Sequence, residues 1–257
     1  MPKPQLKKIE EHLQFLVGER NPFTEPDHLE KIRLYITKQF ESFNLSVNQE
    51  AVDFENSRSF NITGKPTGTQ STPFVLAAHY DTKPETPGAD DNASAVAALL
   101  EIARCLADHT FHTPIIFSAF TLEEYVFIGS RHFIEKAVTR NETFSSMISL
   151  EMLGYKTNAP QSQTYLLYVD TEKYPDSRDF IALVGNQVSG QLTQSLAEGM
   201  KQHVPSLKVE TLVVPGTGEN FSEVRLSDHA PFWDAGIPAV MVHRHSIFSQ
   251  STLSQTL

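Results

Sequence analysis

Phe74-Val75-Leu76-Ala77-Ala78-His79-Tyr80-Asp81 is an apolar run of strand length that ends in a histidine and an acid. A Pro-Gly turn and Asp90-Asp91-Asn92 follow, and a helical pattern opens directly after them. From about Ala93 to Leu106, Val96, Leu99, Leu100, Ala103 and Leu106 recur at the three- and four-residue steps of a buried helix face. Strand, acidic loop and helix in succession are the unit of an α/β protein, and the Asp-Asp-Asn cluster is placed to cap the helix.

The pattern extends in both directions. Upstream, Ile9, Leu13, Phe15 and Leu16, then Leu29, Ile32, Leu34, Tyr35 and Phe40, predict two amphipathic helices between Pro4 and Phe43, broken around Asn21-Pro22. Short β-type runs lie at Ser59 to Thr63, Pro73 to Ala78, Pro114 to Thr121, Met147 to Met152, Thr164 to Val169 and Pro238 to Val242. The expected fold is α/β: a three-layer αβα sandwich with a mixed, mostly parallel sheet flanked by helices. A chain of 257 residues with 40% hydrophobic content fits one large domain, residues 1–257, and shows no repeat or low-complexity tract.

Charge and composition narrow the function. Lys plus Arg is 21 against 31 for Asp plus Glu, and a net charge of −10 disfavours nucleic acid and anionic membranes as partners. A single cysteine, Cys105, excludes an internal disulfide framework and falls in an apolar stretch, where it reads as a packing residue. No export signal or apolar run of membrane-spanning length is read in the sequence, so a cytoplasmic location is expected, and the Asn-x-Ser/Thr triplets carry no weight.

In an open α/β sheet, ligands gather beyond the carboxyl ends of the strands. The residues that follow each apolar run are His79, Tyr80 and Asp81, then Asp90 and Asp91; Thr121, Leu122, Glu123 and Glu124; and Glu151. One such acid is ordinarily a solvated loop residue, and one such histidine a hydrogen-bonded core residue. Several acids converging on one histidine repel one another unless a cation neutralises them, and nitrogen with carboxylate oxygen suits zinc. Such ions polarise carbonyls and acidify water, so hydrolysis is the natural chemistry.

Five motifs in order, Ala78-His79-Tyr80-Asp81, Gly88-Ala89-Asp90-Asp91-Asn92-Ala93-Ser94, Thr121-Leu122-Glu123-Glu124, Leu150-Glu151-Met152 and Ser227-Asp228-His229-Ala230-Pro231-Phe232, span most of the chain. Together they resemble metallopeptidase family twenty-eight, the bacterial aminopeptidase, aminopeptidase Y and glutamate carboxypeptidase-like zinc enzymes. The resemblance implies a zinc exopeptidase fold, a peptide substrate and two Zn2+ ions. It makes His79 and Glu151 ligands of one zinc, Asp91 the bridging carboxylate and Glu124 a ligand of the other. Glu123 matches the general base, and Asp81 the acid that orients the His79 ring. Many relatives carry Asp where Glu151 stands. Asp90 needs no chemical role, and Ser227-Asp228-His229 is no serine triad, because triad members meet from separated chain positions. His12, His28, His109, His112, His132 and His203 lie in helical or surface contexts without an acidic cluster.

The resemblance breaks after Val242. Relatives continue with a segment whose last histidine holds the Glu124 metal and then a closing helix, whereas this chain reads His243-Arg244-His245 and a Ser, Thr and Gln tail to Leu257. A back-translation of that tail, read one base later, encodes Thr-Asp-Thr-Ala-Phe-Phe-Arg-Asn-Pro-His-Tyr-His. The expectation is a one-base frameshift, natural or from sequencing, that leaves one metal site weakened unless His243 or His245 folds back to replace the lost ligand. Two other functions compete with an aminopeptidase: a single-zinc glutaminyl-peptide cyclase, and a binding domain without activity on the same fold.

Overall fold

The computed structural model describes residues 1–66, 72–165 and 169–244. His245, one of the two histidines that could replace the lost ligand only if the tail folded back, and the rest of the Ser, Thr and Gln segment lie outside them. Two helices open the chain, α1 (Leu6–Leu16) and α2 (Pro26–Ser42). Then come β1 (Ser46–Phe54), β2 (Ser57–Lys65), β3 (Phe74–His79), α3 (Ala95–Leu106), β4 (Ile115–Phe120), α4 (Ile128–Thr139) and β5 (Ser146–Glu151). The remainder is β6 (Phe180–Asn186), α5 (Gly190–His203), β7 (Lys208–Val214), α6 (His229–Asp234) and β8 (Ala239–His243).

One 8-stranded sheet, in the order β1-β2-β4-β3-β5-β8-β6-β7, runs through these residues. Its centre, β4-β3-β5-β8, is parallel, whereas β1, β2 and the β6–β7 pair join antiparallel to their inner neighbours. The central strands are buried on both faces, which is why they read as continuous apolar runs.

Side-chain alternation divides the core in two. Leu76, Ala78, Phe117 and Val240 face α1, α2, α3 and α5. Val75, Ala77, Ile116 and Met241 face α4 and α6. Chain direction explains the split. From β3 the chain crosses to β4 on one side, and from β4 it returns past β3 to β5 on the other. Right-handed crossovers in opposite directions place α3 and α4 on opposite faces, so the loops diverge above the end of β3. His79 is the last residue of that strand.

Two local expectations are corrected. Within the run expected as a strand at Thr164 to Val169, Thr164, Tyr165 and Val169 lie in a loop, and residues 166–168 fall outside the described residues. Tertiary contacts override β-propensity there, because the Tyr165 hydroxyl donates to Pro175 O and its ring packs on Tyr174. Nor does Asp90-Asp91-Asn92 cap α3. The residue before the helix is Ser94, with no side-chain cap, and the acidic cluster forms a wide turn whose polar atoms are engaged elsewhere. Cys105 is buried and unbridged, as read.

Candidate metal centre

Adjacent strand ends bring the charged residues together. Ala77 pairs with Ser149, so two residues further His79 and Glu151 end their parallel strands side by side. His79 also pairs with Phe120, and three residues beyond that the chain turns back with Glu123 and Glu124. The His79 ring is 1% exposed. Its Nε2 lies 3.2 Å from Asp91 Oδ1, 3.5 Å from Glu151 Oε2 and 3.7 Å from Glu123 Oε2. Ligand atoms of His79, Glu123 and Glu151 all fall within 4.8 Å of one another, and all three residues are buried. Asp91 approaches the same nitrogen from the open side, with 30% of its side chain exposed.

The turn that carries the two glutamates is strained. Leu122, Val126 and Phe127, none of them glycine, adopt left-handed φ values of 56°, 66° and 60°. Such residues cost about 1–3 kcal/mol each and persist where surrounding structure holds them. Asp81 is part of that hold, since its carboxylate accepts from the backbone N–H of Glu123 at 3.1 Å and of Glu124 at 3.3 Å. Its Oδ1 also sits 3.5 Å from His79 Nδ1, an ion-pair separation beyond hydrogen-bond length. Sequence reasoning assigned Asp81 to the histidine alone; its bonds to the glutamate turn depend on a backbone that only the fold reveals.

Glu124 stands apart from the buried trio. Its Oε2 lies 3.6 Å from Lys83 Nζ. His243, at the end of β8 and level with Glu151, is buried, with Nδ1 3.2 Å from the Glu151 carbonyl oxygen. Asp228 is fully buried, and neither of its oxygens has a hydrogen-bond partner among the described residues.

Asn92 and Ser227 frame the site without carrying charge. The Asn92 amide donates to Leu150 O and accepts from Met152 N, each at 3.0 Å, bracketing Glu151. Ser227 Oγ donates to Glu151 Oε1, and Ser149 Oγ lies 3.3 Å from Ser227 Oγ. Asp90 accepts from Ser94 Oγ and Gly154 N, a bracing role consistent with its reading as chemically idle. These partners are distant in sequence, and only a side-chain amide or hydroxyl hinted at them. His229 bonds Val224 O rather than Ser227, so no triad forms. His12 bonds the Tyr35 hydroxyl, His28 the Glu19 carbonyl and His203 the Gly199 carbonyl, as expected of structural histidines.

Electrostatics test whether a cation fits. Burial, together with the charges of Glu124, Glu151 and Asp228, raises the Glu123 carboxyl well above its ordinary range. Burial and the neighbouring Asp91 push Glu124 up to about 8, and burial pushes Asp228 to about 7 against the pull of His79. Glu151 is also raised by burial. For His79, burial opposes the charged ring, but Glu123, Glu151, Asp81 and Asp91 outweigh it and raise the imidazole. Burial also works against ionised Asp91, yet its contact with His79 holds that carboxyl below its usual value. The protein alone must therefore retain protons among these groups to limit repulsion. A divalent cation removes that need, and a nitrogen-plus-carboxylate donor set matches zinc.

The profile of peptidase family M28 matches residues 61–253. The chain is 32% identical over 249 residues to the uncharacterised protein YfbL of Escherichia coli (strain K12), covering 93% of this chain and 75% of that one. It is 30% identical over 191 residues to aminopeptidase YwaD of Bacillus subtilis (strain 168), covering 72% of this chain but 35% of that protein. Among solved structures, the LapA aminopeptidase of Legionella pneumophila superposes with a TM-score of 0.72 at 19% identity, over 95% of this chain and 62% of that one. A glutaminyl cyclase of Bacteroides thetaiotaomicron superposes at 0.69 and 18% identity, over 94% of this chain and 85% of that one. At such identities the superpositions speak for the fold alone. Sequence match, sheet order and the cluster at the end of β3 agree, and the chain belongs to peptidase family M28.

Proposed function

We infer that the protein is a zinc-dependent exopeptidase that releases amino-terminal residues from peptides. The observation that carries this reading is the convergence of Asp91 and the buried Glu123 and Glu151 on His79 Nε2 at the switch point of the sheet. His79, Asp91 and Glu151 would hold zinc, with Glu124 available to a second ion. Zinc, when bound, supplies Lewis acidity that polarises a peptide carbonyl and acidifies water. Glu123, raised in pKa and enclosed, accepts a proton from the attacking water and returns it to the departing amine. The C–O bond forms first, as Glu123 takes the water proton, and the C–N bond breaks next, as Glu123 returns that proton to the nitrogen, so the proton count closes on Glu123. Asp81 fixes the Glu123 backbone, while Ser227 and Asn92 fix Glu151.

One observation favours a second reading. Glu124 pairs with Lys83 outside the buried trio, an arrangement that suits a single-metal centre such as a glutaminyl-peptide cyclase uses. A peptide with an amino-terminal glutamine separates the two. Release of free glutamine supports the peptidase; release of ammonia with a cyclised product supports the cyclase.

A further inference from the structure

Arg20 lies in the loop between α1 and α2, before the residues matched to the family, and is completely buried. All three guanidinium nitrogens donate to main-chain oxygens. Nε bonds Tyr80 O at 2.8 Å, Nη1 bonds Leu16 O and Gly18 O at 2.7 Å and Pro87 O at 3.2 Å, and Nη2 bonds Gly88 O at 2.9 Å. Among the described residues no carboxylate forms a salt bridge with it, yet Asp81, Asp91 and Glu124 all act on it through their charges.

The backbone around it is stitched to the same loop. Gly18 N donates to Pro87 O at 2.8 Å, Arg20 N to Thr82 Oγ1 at 2.9 Å, and Thr82 N to Arg20 O at 3.2 Å. Asn21 Nδ2 reaches Thr82 O at 2.7 Å and the Tyr125 hydroxyl at 2.9 Å, tying in the turn that carries Glu123 and Glu124. Gly88, at φ +54°, leaves room for this approach: a Cβ there would lie 2.6 Å from Arg20 Nη2 and 2.7 Å from Asp91 O.

Burying a guanidinium costs several kcal/mol unless its donors are satisfied and opposite charge lies near. Both conditions are met at one place, the loop that joins His79 to Asp91. We propose that Arg20 is the positioning residue and fixed counter-charge of the metal centre, setting the span of residues 80–88 so that His79 and Asp91 meet one ion. This rests on the metal-centre reading above. Its donor fan holds Tyr80 and Gly88 at the two ends of the loop, and its charge offsets those of Asp81, Asp91 and Glu124.

The test is the zinc affinity of the full-length protein, measured by competition with a chelator well below the melting transition. Arg20→Lys keeps the charge and loses the fan; Leu99→Ala, at a buried site of α3, destabilises the same core while leaving every hydrogen bond of Arg20 to the loop in place. Arg20→Lys is expected to weaken zinc binding by roughly ten- to a hundredfold, as outer partners of metal ligands do, while Leu99→Ala leaves it within about threefold. Gly88→Ala, whose Cβ would press on Thr82 Cγ2 as well as on Arg20 Nη2 at 2.6 Å, moves the Gly88 end of the loop with Arg20 intact; it is expected to weaken zinc binding in the same direction and serves if Arg20→Lys does not fold. Wild-type affinity in Arg20→Lys, or in Gly88→Ala when that variant stands in, overturns the proposal, as does an equal loss in Leu99→Ala. A wild-type protein that binds no zinc refutes the metal-centre reading itself, a distinct outcome.

Discussion

Glu123 and Glu124 are neighbours in the chain and differ in surroundings: one faces His79 Nε2 inside the buried group, the other faces Lys83. Glu123→Gln removes a proton acceptor while preserving shape. Peptide hydrolysis is expected to fall by roughly a hundredfold or more with zinc content unchanged, whereas Asp91→Asn is expected to lose the metal. Elemental analysis of both variants beside their rates decides the roles. Loss of zinc in Glu123→Gln would make Glu123 a ligand rather than the base. The charged members of this site were legible in the sequence because acids and a histidine at strand ends repel without a cation, a signal that survives ignorance of the fold. Arg20, Asn92 and Ser227 were not, because their work is done through hydrogen bonds to main-chain or side-chain atoms remote in sequence.

Among the elements, α6 shows how a chemically suggestive residue can be structural. His229 is fully buried, with Nε2 2.8 Å from Val224 O and its ring edge-on to Trp233. Burial pushes its pKa down to about 4, well below the ordinary imidazole range. The unfolded chain therefore takes up a proton before the folded one as pH drops. Stability from this group is complete above the unfolded pKa and is lost through the interval down to about 4, with a total near 3 kcal/mol. His229→Phe, which lacks the titrating ring, is expected to lose less stability over that interval than the wild type, as followed by denaturant unfolding at several pH values. Equal slopes would show that His229 is not held neutral. The helices with clear apolar periodicity, α1 to α3, and the central strands β3, β4, β5 and β8 were readable from side-chain spacing. Edge strand β1 was not, because its exposed, polar residues carry little apolar signal. Thr164, Tyr165 and Val169 carry a β-type pattern yet lie in a loop, because β-propensity reports a fit to a half-buried surface and the contacts around Tyr165 offer one without strand pairing.

Across the whole molecule, the switch above β3 gathers residues from four strand ends, and there Asp91, Glu123 and Glu151 crowd around one buried histidine. No helix among the described residues is long and apolar enough to cross a membrane. A cluster of buried carboxylates held together without a cation weakens a fold; with one bound, it becomes a strong cross-link between β3, β5 and the two intervening loops. Ligand binding to the folded state alone raises stability by an amount set by the free ligand relative to its Kd. The most direct measurement is thermal unfolding of the full-length protein, stripped of metal by chelator and then titrated with zinc, with bound metal counted at each step. Zinc uptake near one ion per chain, with a melting temperature raised by roughly 5–10 °C at a hundredfold excess over Kd, is the predicted result. A protein that retains no zinc and melts at the same temperature with and without it would contradict the metal centre.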